Sequence, residues 1–136
     1  MSYKNTIIAE LSGQPTSALI SYSLRDRPEA VSDELPAVLM PLHELMNQAP
    51  DTWYVHALAA YPSYRGRGQG SALLAVADNL AASAGITGLS LIVSDTNVSA
   101  RKLYERCGYR EAAHCEMVKE HWLHPGTNWV LMRKQL

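Results

Sequence analysis

Residues 52–85 read TWYVHALAAYPSYRGRGQGSALLAVADNLAASAG. The first ten, TWYVHALAAY (52–61), are a near-continuous apolar run, the composition of a strand covered on both faces. The last fifteen, SALLAVADNLAASAG (71–85), place Leu73, Leu74, Ala77, Leu80, Ala81 and Ala84 at helical spacing, with Gly85 as a C-terminal stop. Between them, Arg65, Gly66, Arg67, Gly68, Gln69, Gly70 and Ser71 put three glycines and two arginines at one strand-to-helix corner. A helix starting near Gly70 leaves its first four N–H groups without intrahelical partners, and these carry the positive end of the helix dipole. Glycines permit unusual backbone angles and keep side chains out of a ligand's way. The arginines add positive charge beside the same amides. Such a corner suits an anionic group, for example a pyrophosphate.

The spacing narrows the choice of phosphate ligand. A nucleoside triphosphate loop needs G-x-x-x-x-G-K-[ST], and the lysine is missing. A dinucleotide fold needs G-x-G-x-x-G inside repeated βαβ units, and the glycines here run G-x-G-x-G. Arginine–glycine RNA-binding tails lie in disordered sequence, whereas this stretch joins two apolar elements.

Working outward, NTIIAEL (5–11) alternates and is β-branched, which predicts a strand. SGQP supplies turn chemistry, and TSALISYSL (16–24) is the return strand of a hairpin. Residues 25–36 are polar with two prolines and read as a loop. AVLMPLHELMNQ (37–48) reads either as a short helix broken by Pro41 or as a strand followed by one helical turn. GLSLIVS (88–94) is a second buried strand. Asn97 is a good N-cap for a helix with Ala100, Leu103, Tyr104 and Cys107 on one face, ended by Gly108. YREAAHCEMVK (109–119) and NWVLMRKQ (128–135) are predicted strands around a turn at Pro125–Gly126. The order β-β-β-α-β-α-β-β describes an α/β or α+β sheet protein.

The chain has 136 residues, the size of one domain (1–136), and its net charge of −1 offers no general field for nucleic acid or anionic lipid. Cys107 and Cys115 make no disulfide framework, which fits a reducing cytosol. The start MSYKNTIIAE lacks the long apolar run of a signal peptide or membrane span, so a cytoplasmic protein is expected. His114, Cys115, His121 and His124 match no zinc-binding spacing, and no metal is expected.

Two stretches resemble one family. Arg65, Gly68 and Gly70 fit [RQ]-x-x-G-x-[GA] between a strand and a helix, which is similar to the coenzyme A loop of the GCN5-related N-acetyltransferases. NVSARKLYERCGYRE (97–111) resembles that family's second signature, with Asn97, Ala100, Leu103, Tyr104, Gly108 and Tyr109 in the matching places. Together the two cover residues 52–112, in order and at the family's usual separation, and NWVLMRK (128–134) looks like its last strand.

The resemblance implies a mixed, mostly antiparallel central sheet with flanking helices and one parallel strand pair that splays to admit acetyl-CoA. It places pantetheine contacts on Leu58, Ala59 and Ala60, and the pyrophosphate on the amides of Arg65 to Ser71. Asn97 would contact the arm or hold the splayed edge. Tyr104 would act as general acid toward the departing thiolate, whose pKa its own value near ~10 approaches. A backbone N–H near Leu58 would meet the charge growing on the carbonyl oxygen. Direct attack by the amine needs no covalent enzyme intermediate and no nucleophilic cysteine.

His56 is the candidate base: it is polar in an otherwise apolar strand, and alternation puts it on the same face as Leu58. An imidazole pKa near ~6.5 suits proton removal at neutral pH. A water chain is the alternative. The implied acceptor is a small-molecule primary amine. The family's usual first strand and two helices have no counterpart before the hairpin, so three readings stand: a natural short member, a truncated product, or one half of an assembly, such as a homodimer, that completes the acceptor wall with another subunit. A non-catalytic acyl-CoA-binding module completed by a partner is the second reading.

Overall fold

The computed structural model describes residues 5–11, 14–24, 36–60, 68–119 and 123–136. Six strands and three helices follow in the order β1 (Asn5–Leu11), β2 (Gln14–Ser23), α1 (Met40–Asn47), β3 (Trp53–Ala60), α2 (Gln69–Ser83), β4 (Gly88–Ser94), α3 (Val98–Arg106), β5 (Arg110–Glu116) and β6 (Asn128–Gln135). The strands form one sheet in the order β1-β2-β3-β4-β6-β5, with β3 and β4 its parallel pair. The remaining pairs are antiparallel. This is the mixed, mostly antiparallel α+β architecture that the sequence predicts.

The ambiguous stretch 37–48 resolves into a 3-10 turn, Ala37–Leu39, running into α1. Pro41 does not break this helix. It sits in the first turn, where an N–H has no intrahelical acceptor to lose. Most of the predicted loop, residues 25–35, lies outside the described residues, as does His121.

The two sheet faces are covered differently. On one, Leu19, Trp53, Val55, Leu89, Leu91, Val93, Val130 and Met132 meet Leu73, Leu74, Ala77 and Ala81 of α2, joined by Ala100, Leu103 and Tyr104 of α3. Small alanines on α2 let that helix lie close to the strands. On the other face Leu45 and Ala49, at and just beyond the end of α1, pack on Leu131, Ile92 and Trp129. Beside them Tyr22, Leu24 and Tyr54 gather with Met46.

Two local features shape the centre. First, β3 and β4 pair only at Trp53–Leu89, Tyr54–Ser90 and Val55–Leu91, although β3 continues to Ala60 and β4 to Ser94. The parallel strands therefore part after Val55, the splay expected from the resemblance. Second, β3 carries a bulge. Ile20 and Ser21, adjacent on β2, face Ala57 and Val55, which leaves His56 as the extra residue.

The bulge corrects one expectation. Alternation puts His56 and Leu58 on one face; the inserted residue reverses the parity. Leu58 packs against the core under α2 and α3. His56 is exposed, and its ring contacts those of Tyr22 (5.8 Å) and Tyr54 (6.1 Å). Burial of β3 on both faces likewise holds for Trp53, Tyr54 and Val55 but not beyond, where Ala59 is exposed.

The turn from β4 to α3 is tied to the start of β6. Asp95 accepts the amides of Thr127 (3.1 Å) and Asn128 (3.0 Å). The Thr127 amide is the main reason its carboxyl sits below the usual 3.8, with burial opposing and the Asn128 amide adding to the drop. A depressed folded-state value contributes stability that is present above pH 3.8 and lost as pH falls through the folded value. Asp95→Asn is therefore expected to melt below the parent at neutral pH. The gap should close as pH falls below 3.8, read from thermal melts at stepped pH.

Candidate active site

The turn at the start of α2 is built on two glycines with different physical roles. Gly68 caps the helix with φ 77°, a left-handed conformation that costs a side-chain-bearing residue strain, though a Cβ there would meet nothing within 4 Å. Gly70 leaves room for a side chain of α3: a Cβ there would lie 2.9 Å from Leu103 Cδ2, and the leucine would have to shift. Neither role was separable in sequence. The first amide to donate within the helix is that of Ala72, to the Gly68 carbonyl at 3.1 Å. The N–H groups of Gly68, Gln69, Gly70 and Ser71 thus have no intrahelical acceptor.

Asn97 caps α3 as expected, its side chain accepting the Ala100 amide at 3.4 Å. Two turns on, Tyr104 stands half-buried, its ring edge-on to Tyr109 at 6.1 Å. Tyr109 is wholly buried and fixes that ring. Desolvation pushes the Tyr104 phenol above its ordinary pKa of 10, so it is protonated throughout the neutral range. The Cys107 thiol, at the end of α3, donates to Ser71 Oγ at 3.9 Å and stitches α3 to the first turn of α2.

These elements enclose a groove of about 700 Å³. Its lining brings together Leu58 and Ala59 of β3, Gly68 to Ser71 of α2, and Asn97 and Tyr104 of α3. The groove thus gathers eight of the residues marked in sequence. Ala60 follows directly in β3, paired with Ser17. Arg65, Gly66 and Arg67 lie outside the described residues. His56 is not in the lining; it is the residue after Val55, where β3 and β4 part, and it faces the opposite side of the sheet.

Ser17, Ser99 and Arg106 also line the groove, and sequence spacing around the two motifs does not single them out. Ser99, Leu103 and Arg106 do share one stripe of α3 at i, i+4 and i+7, the signal that points to the latter two. Among the described residues no acidic side chain lines the groove. Among the described residues, no group of three or more His, Cys, Asp or Glu side chains is arranged to hold a metal. No helix among them is long and apolar enough to cross a membrane.

A family model described as the acetyltransferase (GNAT) family matches residues 6–109. This chain belongs to the GNAT family. A Bacillus subtilis relative of this GNAT chain, named the uncharacterized N-acetyltransferase YycN, is 43% identical over 58 residues, which cover 43% of this chain and 37% of that protein. Among solved structures the fold is shared with a Bacillus anthracis protein designated a streptothricin acetyltransferase, in complex with acetyl coenzyme A. That likeness has a TM-score of 0.71 at 19% identity, over 98% of this chain and 62% of that one. It is shared too with the ribosomal-protein-S18-alanine N-acetyltransferase from Escherichia coli, with a TM-score of 0.65 at 19% identity, over 97% and 68% of the two chains. The GNAT chain therefore spans under two thirds of the length of the first two of these relatives.

Proposed function

We propose that the chain is an N-acetyltransferase that moves the acetyl group of acetyl-CoA to a primary amine of a small molecule in the cytoplasm. The observation that carries this reading is the parting of β3 and β4 after Val55 beside a helix start whose first amides have no intrahelical acceptor, within one groove. The residues present fit the coenzyme. The described lining holds no acidic group, the Gly68–Ser71 amides suit a diphosphate, and the strand edge at Leu58 to Ala60, left by β4, suits an amide-bearing arm that adds like a strand.

Acetyl-CoA supplies an activated thioester when bound. The protein's part is to place it and to move protons. A backbone N–H near Leu58 donates to the carbonyl oxygen as negative charge grows there. Tyr104 holds its proton at neutral pH and gives it to the leaving sulfur. The amine enters from the face opposite α2 and α3. His56 stands there, at the apex of the strand gap and against Tyr22 and Tyr54, in position to take the amine's proton.

The test is release of free thiol from acetyl-CoA across a panel of small amines, run beside calorimetry with CoA. Amine-dependent release is the expected result. Binding without release across the panel would leave only an acyl-CoA-binding module, and absence of binding by a folded protein would remove both readings.

A further inference from the structure

Coenzyme A carries three phosphates: a diphosphate and a separate monoester on the ribose 3′-oxygen. The amides of Gly68 to Ser71 suit the diphosphate, and the monoester calls for a cationic partner of its own. It is close to a dianion at neutral pH, since the second ionisation of a phosphate monoester falls near ~6. The lining of the groove holds one charged side chain among the described residues, Arg106.

Three observations give Arg106 a ligand rather than a structural role. It lies at the last turn of α3, and the neighbouring Cys107 thiol reaches Ser71 Oγ. That contact sets the end of α3 beside the start of α2, at the diphosphate end of the groove. Asn97 stands at the other end of α3, about 13 Å away at the helical rise per residue. The neighbouring arginines are engaged: Arg101 pairs with Glu111 at 3.0 Å, and Arg110 donates to the carbonyls of Glu105 and Tyr109. Among the described residues Arg106 makes no such ion pair or hydrogen bond, and its side chain is exposed. A guanidinium with donors to spare, on the rim of a groove whose described lining holds no acid, matches a phosphate monoester in charge and in its two-pronged geometry.

We propose that Arg106 binds the ribose 3′-phosphate and gives the site its preference for coenzyme A over 3′-dephospho-coenzyme A. This rests on the reading of the groove as an acyl-CoA site. The experiment is calorimetric titration of the full chain and of Arg106→Gln with each of the two coenzymes, with a thermal melt of the variant as a folding control. The parent is expected to bind CoA roughly tenfold more tightly than dephospho-CoA, the lower range for a charge-assisted contact at an exposed rim. The variant should lose about that factor for CoA and keep the parent's affinity for dephospho-CoA. Equal weakening for both coenzymes would overturn the proposal, since Arg106 would then act on the diphosphate or by general charge. Unchanged affinity for both would overturn it as well. A folded parent that binds neither coenzyme would instead bring down the acyl-CoA reading beneath it.

Discussion

Tyr104→Phe is expected to lower kcat by roughly 10²- to 10³-fold while leaving the affinity for CoA within a fewfold of the parent, the span that loss of a general acid produces. The substitution removes one oxygen. The ring stays edge-on to Tyr109, and the packing with Ala100 and Leu103 is untouched, so the fold is kept. The phenol is also expected to govern the alkaline limb of the pH–rate profile. Burial raises its pKa above 10, so the proton needed for the leaving sulfur persists beyond the pH at which an exposed tyrosine loses it. In the phenylalanine variant that limb should vanish along with the rate. The checks are thiol release at saturating acetyl-CoA, its pH dependence, and CoA titration. Near-parental kcat in Tyr104→Phe would assign the sulfur's proton to water.

Gly68→Val is expected to weaken CoA binding by at least about tenfold. The cause is conformational, because among the described residues a Cβ at this position meets nothing within 4 Å. A β-branched residue at φ 77° stores strain of about 1–3 kcal/mol, relieved only by moving the backbone out of the left-handed region. That movement turns the amides of Gly68 to Ser71 away from the groove. A matched control lies at the other end of the same helix. Gly85 has φ 73°, also with nothing within 4 Å, and is absent from the groove lining. Gly85→Val should lose similar thermal stability and bind CoA like the parent. If both variants bind alike, the cap at Gly68 has no part in holding the coenzyme.

The contrast between these glycines bears on what can be read from sequence. The helix start at 68–71 was legible because its signals are local: an apolar strand, glycines, and a helical stripe beginning at Leu73. The α3 start was legible for the same reason, since an Asn three residues before Ala100 is a cap whatever surrounds it. His56 was misplaced relative to Leu58 because the bulge exists only in the register between β2 and β3, which no pattern within β3 encodes. The insertion of β6 between β4 and β5 is a tertiary choice of the same kind. Pro41 was ambiguous because its meaning depends on where the helix begins. Arg106 escaped notice because a charged residue at the end of a helix is ordinary until the neighbouring helix is known to begin beside it.

The central strands share only the contacts from Trp53 to Val55 with Leu89 to Leu91, so the sheet is in effect two panels, β1–β3 and β4–β6, hinged along a short seam. Beyond the seam, among the described residues, α2 lies across strands of both panels. On the proposed reading, a long ligand in the opening would act as a clasp, adding to one panel's free edge while its far end meets the start of α2. Occupancy is then coupled to the rigidity of the whole domain, and the empty protein should breathe most at the place where the reaction is to occur.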